Sequence, residues 1–139
     1  MAIREIVKDE AELVVPCERY EESRDAEWVT DLLDTAEANR ANCAGLACNQ
    51  IGGKLKLIVV KNGEEFMVMK NPYIIKRSGG TYVAVEACLS LSGAKPVVRH
   101  RQITVMYEDK YNKQRRLQCN GRLAQIIQHE CDHLKGVLI

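Results

Sequence analysis

Near the end of the chain, His129-Glu130-Cys131-Asp132-His133 spells HExxH. On an α-helix, residues four apart lie about 40° apart in azimuth and one turn apart in height, so both imidazoles can aim at one point. Glu130 is rotated about 100° from His129. From there it can reach a water beside a metal without being a ligand, the general-base arrangement of metal hydrolases. The chain has only three histidines, and two of them fall in this motif. Two histidines do not complete a catalytic site, which uses three protein ligands and keeps one position for water. Cys131 is rotated about 200° from His129 and faces away. His100 stands between Arg99 and Arg101, a poor place to hold a cation. Cys88 is better placed. It lies in EACLSLSG, where an alternating strand pattern breaks into a small-residue loop, so its thiolate would be positioned and partly accessible. Spacing goes no further, and His100, the carboxylates and the other cysteines stay open as third ligand.

The elements that must position these groups are legible in outline. Trp28, Val29, Leu32, Leu33 and Ala36 recur at helical spacing and predict a helix over 24–39, with Ser23 as N-cap. ANCAGLACNQIGG, rich in small residues, predicts no regular element. KLKLIVV (54–60) and FMVMK (66–70) read as two strands joined by an Asn62-Gly63 hairpin turn. Asn71-Pro72 is expected to break the second strand, and Ser78-Gly79-Gly80 to make another turn. Strands follow at 81–90, 96–109 and 114–119, the last pair joined by the turn DKYNK. Asn120 is placed to cap a final helix that Gly136 ends. Hairpins dominate over βαβ units, so the class is α+β: antiparallel sheets packed around a metal-binding C-terminal helix, plus an N-terminal helix.

The chain has 139 residues, which predicts one domain over 1–139. A net charge of +1 gives no reason to expect a DNA or membrane partner. No apolar run reaches the roughly 18 residues needed to span a bilayer. The N-terminus is charged from Arg4 and lacks a signal peptide's apolar stretch, so a cytoplasmic protein is expected. Six cysteines without framework spacing or CxxC fit free thiols in a reducing compartment.

Three motifs in order then resemble the peptide deformylase family. They are the Gly-rich segment CAGLACNQIG ending on Gln50, EACLS (Glu86–Ser90) beside the family's EGCLS, and HECDH beside its HExDH. The resemblance runs from IREIV to DHLKGVLI. It implies Cys88, His129 and His133 as metal ligands with water in the fourth position. The implied ion is ferrous iron, with zinc, nickel or cobalt able to substitute. The implied reaction removes the formyl group from the N-terminal formylmethionine of newly made polypeptides and releases formate. Glu130 would carry the proton, and the Gln50 amide and Leu89 backbone N–H would stabilise the oxyanion. Gly45 would let the peptide backbone approach closely. Glu86 and Arg99 resemble an ion pair that braces the metal loop. The implied partners are the N-formylmethionyl nascent chain and, transiently, the ribosome, with the enzyme a monomer.

The sequence departs from the family in places. Cys43 and Ala87 stand where glycine is usual, and Cys48 where alanine is usual. Ala87 would be strained if that position needs positive φ. The C-terminal helical extension of many members is lacking, as in shorter forms. Arg122 and Gln125 lie seven and four residues before His129, on the metal-facing stripe, which the resemblance implies lines, with Ile126, the pocket for the methionine side chain. An apolar thioether prefers an apolar wall, so Arg122 is expected to snorkel outward with only its methylenes inside. These departures support an alternative, a deformylase-like homologue with altered specificity or little activity that acts as a binding or vestigial protein. A third reading is another metal amidase or peptidase. Against the binder stands Glu130, which binding alone does not need. Against the third stands EACLS, which other HExxH hydrolases do not need.

Overall fold

The computed structural model describes residues 2–139. Its centre is a five-stranded antiparallel sheet in the order β1-β2-β3-β4-β5, built from β1 Gly45–Ala47, β2 Leu57–Asn62, β3 Glu65–Glu86, β4 Lys95–Glu108 and β5 Gln114–Asn120. A short α1 (Glu10–Leu13) and the long α2 (Glu22–Ala38) precede the sheet, and α3 (Gly121–Leu134) follows it. The expected α+β class with a C-terminal helix holds.

β2 shows how the two faces are filled. Leu57, Ile58, Val59 and Val60 are all fully buried. Successive side chains point to opposite faces of a strand. Leu57 and Val59 therefore pack with Leu32, Ala36, Leu46 and Val68 in a core that α2 covers. Ile58 and Val60 pack with Met69, Ile103, Val105, Ala124 and Ile127 in a core that α3 covers. A strand covered on both faces needs an unbroken apolar run, and LIVV supplies it. The predicted amphipathic face of α2 does the same work, with Leu32 and Ala36 at zero exposure.

Several boundaries differ from expectation. The helix expected at 24–39 starts at Glu22, and its N-cap is Glu21, not Ser23, with no side-chain cap bond. The Glu21 N–H donates instead to Asp25 Oδ2 at 2.8 Å. Residues 65–86 form one strand where two were expected. Asn71-Pro72 does not end it. Asn71 takes φ 49° inside a register irregularity between Lys70 and Tyr73. A bulge leaves one residue unpaired, which is where proline's missing N–H is tolerated. The Asn71 side chain holds this bend by donating to the Tyr20 carbonyl and Glu108, and by accepting from the Tyr20 N–H. Gly79 and Gly80, at φ 76° and 79°, likewise form a second bulge between Ser78 and Thr81 rather than a turn. The segment expected to be irregular contains β1, paired through Gly45, Leu46 and Ala47 with Val60, Val59 and Ile58. Three residues, two of them small, carry too little periodicity to announce a strand.

Candidate metal centre and substrate cleft

Helix α3 supplies both histidines and the glutamate on its sheet-facing side. His129, Glu130 and His133 are 7%, 3% and 2% exposed. Cys88 arrives from the other side, two residues after β3 ends at Glu86. One ligand atom from each of Cys88, His129 and His133 lies within 4.8 Å of the others. The two Nε2 atoms stand 3.1 Å apart, a separation that calls for a shared proton or a shared cation. One thiol and two imidazoles suit a borderline divalent ion. The donor set therefore fits the implied metal. Glu130 adds a second observation: its Oε1 is buried without a hydrogen-bond partner among the described residues. A buried carboxylate oxygen is normally satisfied, so this one is arranged to meet a water or a substrate.

A charged relay sets the orientation of His129. Its Nδ1 lies 2.7 Å from Glu86 Oε1, which turns Nε2 toward the centre. Arg99 grips Glu86 through Nε and Nη2 at 2.6–3.2 Å, and reaches Asp132 Oδ2 through Nη1 at 2.5 Å. Glu86 and Arg99 are buried at 7% and 3% exposure, so this is an interior ion pair. Burial raises the Glu86 carboxyl, but His129 and Arg99 outweigh it and bring it down to about 2. Burial disfavours charge on His129, yet Cys88 and Glu86 hold its pKa up to about 10. Cys88 is lowered: burial opposes this, and His129 and the loop N–H groups prevail. His133, buried and beside that charge, falls to about 3. Burial pushes Glu130 up to about 7. The cluster thus concentrates anionic character on Cys88 and Glu86, places the positive charge on His129 and leaves His133 neutral.

The remaining candidates surround this centre. Gln50 is buried, accepts from the Ala47 N–H at 2.9 Å and donates through Nε2 to Ser90 Oγ at 3.1 Å. Its second amide hydrogen is left over. Leu89 follows Cys88 in the loop and lines the same cleft as Gly45, Arg122, Gln125, Ile126 and Glu130. Gln50 and His133 sit behind that lining. Gly45 is dictated by space. A Cβ there would lie 2.9 Å from both Glu130 Oε2 and Ile126 Cγ2. Arg122 is exposed at the mouth, and Gln125 is half-buried with its Oε1 accepting from the Tyr82 hydroxyl at 2.9 Å. The cleft holds about 180 Å³, below the roughly 300–1,000 Å³ of sites that enclose whole drug-sized ligands. It suits one side chain and its acyl group.

His100 is not in the cluster. Its backbone N–H and carbonyl pair with the Gln128 carboxamide at 2.9 Å each. Ala87 takes no positive φ, since Asn71 and Asn112 are the only such non-glycine positions among the described residues. Alanine is therefore unstrained there. Cys43 donates to the Gly45 carbonyl, and all six cysteines are free. Asp132, Tyr82, Ser90 and Asn49 were not singled out from the sequence. Asn49 donates through Nδ2 to the His133 carbonyl at 2.9 Å. Asp132 sits inside HECDH and could have been sought there. Tyr82 carried no signal, because its role depends on how α3 crosses β3.

A Cys-His-His cluster with both histidines buried and an unpartnered glutamate oxygen beside it, set between a sheet and a helix, is the equipment of a metal-dependent hydrolase. The polypeptide deformylase family model matches residues 3–139. A peptide deformylase of Clostridium beijerinckii is 40% identical, with 99% of each chain covered. Among solved structures, a peptide deformylase from Synechococcus elongatus in complex with actinonin superposes with a TM-score of 0.87 at 32% identity, covering 98% of this chain and 75% of that one. A peptide deformylase from Legionella pneumophila gives 0.88 at 33% identity, covering 99% and 83%. The chain belongs to the polypeptide deformylase family. It is an enzyme that removes the N-formyl group from nascent polypeptides, in a metal-dependent family.

Proposed function

We propose that Cys88, His129 and His133 hold one divalent ion, ferrous iron, and that Glu130 is the proton carrier for deformylation of formylmethionyl chains. The observation that carries this reading is the convergence of the three ligand atoms beside the unpartnered Glu130 oxygen. A divalent ion held there supplies a Lewis acid that acidifies water and polarises the formyl carbonyl. Glu130 accepts the water's proton at Oε1 and returns it to the departing amine. The spare Gln50 amide hydrogen and the Leu89 N–H donate to the carbonyl oxygen as it gains charge. Gly45 gives the peptide backbone room, while Ile126 and the stem of Arg122 face the first side chain. The Asp132–Arg99–Glu86 relay keeps His129 in its ligating tautomer.

We assign the protein as one domain acting as a monomer in a bacterial-type cytoplasm, with transient ribosome contact as its substrate emerges. No helix of the described residues is long and apolar enough to cross a membrane. The test is metal content. Cys88→Ser and His133→Ala should each lose most of the bound metal. Both should also melt below the holoprotein, because a ligand at 100 times its Kd contributes about 2.7 kcal/mol. Full occupancy in both variants would refute the ligand assignment.

A further inference from the structure

The cleft wall made by α3 is chemically one-sided. Tyr82 donates its hydroxyl to Gln125 Oε1 at 2.9 Å. That uses the carboxamide's acceptor and leaves two Nε2 hydrogens, for which no protein acceptor stands in range among the described residues. Nε2 is also absent from the buried, unpartnered side-chain atoms, so it is open to the cleft or its solvent. One turn earlier, the exposed Arg122 lines the same cleft and makes no ion pair or hydrogen bond among the described residues. A guanidinium offers five donors and no acceptor. Behind Tyr82, the Arg101 guanidinium stacks over the ring at 5.2 Å, adding positive charge on the same side. The cleft's carboxylates are Glu86 and Glu130. Glu86 is engaged by Arg99 and His129. Glu130 adjoins the metal ligands. Around Gln125 and Arg122 the wall therefore only donates.

We propose that this wall recognises an acceptor oxygen on the formyl peptide, a preference that an apolar methionine pocket would not show. The inference rests on the deformylase reading. Helical rise places Gln125 about 6 Å and Arg122 about 10 Å along α3 from His129. The acceptor can come from two sources. A methionine side chain that has been oxidised to the sulfoxide carries an oxygen at about the depth of Gln125. An acidic second residue carries a carboxylate that meets Arg122 at the mouth. Tyr82 is a positioning residue here. Its hydroxyl engages Gln125 Oε1 and leaves Nε2 to the cleft.

The test compares three peptides on the metal-loaded enzyme: formyl-Met-Ala-Ser, its methionine-sulfoxide form, and formyl-Met-Asp-Ser. kcat and KM are measured separately. At least one oxygen-bearing peptide should exceed formyl-Met-Ala-Ser in kcat/KM by about 3–10-fold, the worth of one net hydrogen bond, with the gain in KM. A sulfoxide preference should vanish in Gln125→Leu and in the near-isosteric Tyr82→Phe, and survive Arg122→Leu. An acidic preference should vanish in Arg122→Leu and weaken with salt, because an exposed charge is screened. Two results would overturn the inference. One is a wild-type enzyme that uses both oxygen-bearing peptides no better than formyl-Met-Ala-Ser. The other is a preference that all three variants retain. If formyl-Met-Ala-Ser is turned over, the deformylase reading stands whatever the ratios. If all three peptides are inert, both readings fall.

Discussion

Glu130 and Gly45 form a pair in which one residue's chemistry is set by the other's missing side chain. Glu130 is buried with one oxygen unpartnered, and the strand opposite it approaches closely enough that any Cβ at position 45 would press on Glu130 Oε2 and Ile126. Gly45→Ala should therefore destabilise the fold by about 1–3 kcal/mol through overpacking, and should slow formate release by displacing the proposed proton carrier. Unchanged melting and unchanged rate would show that the site relaxes freely. Much of this scale was readable beforehand. HExxH placed three residues by helical arithmetic, and Cys88 stood out where a strand pattern dissolved. Asp132 stood inside HECDH, but its pairing with Arg99 spans 33 residues, and Tyr82 was not readable because its partner Gln125 is 43 residues away in sequence.

The elements are tied together by buried charge as much as by apolar contact. Arg99 on β4 bonds Glu86 at the end of β3 and Asp132 on α3, joining three elements at the proposed metal centre. Replacing Arg99 by Leu would leave the buried Glu86 and the half-buried Asp132 without their cation. Breaking a buried pair this way costs about 3–5 kcal/mol, and losing such support behind a ligand histidine typically lowers metal affinity 10–100-fold. Chemical denaturation and metal titration of Arg99→Leu check both figures. A variant near wild type in each would reduce the relay to a bystander.

The β4–β5 turn is a separate case. Asp109 accepts from Arg115 Nε and from the N–H groups of Tyr111 and Lys113. Arg115 and those N–H groups hold its carboxyl down to about 2. A carboxyl depressed on folding stabilises at pH above its unfolded value and loses that contribution as pH falls through its folded one. Asp109→Asn should thus melt lower than wild type at pH 7, and the two curves should converge as pH approaches 2. A constant difference across that range would contradict the assignment. The sequence showed this turn correctly, because its residues act locally. It misread the long β3, because Asn-Pro and Gly-Gly are turn signals whose conversion into bulges depends on the strand lying opposite.

For the molecule as a whole, a single sheet serves two cores, and the proposed catalytic groups collect where the α3-side core meets the end of β3. That explains why fold class was legible while register was not. Hydrophobic pattern announces helices and strands, but which faces meet is settled by β2, covered on both sides. It also explains why the cleft's polarity waited for the structure, since Gln125 and Arg122 acquire meaning only against β3. On this reading a formyl group is hydrolysed by a site in which Glu130 moves the proton. The direct measurement is formate released from formyl-Met-Ala-Ser by anaerobically purified, iron-loaded protein, with Glu130→Gln beside it at matched metal content. The wild-type protein should release one formate per free amine formed, and the variant should be slower by about 10²–10⁴-fold. A metal-loaded wild type that releases no formate, or a Glu130→Gln variant that releases it at the wild-type rate, would contradict the account.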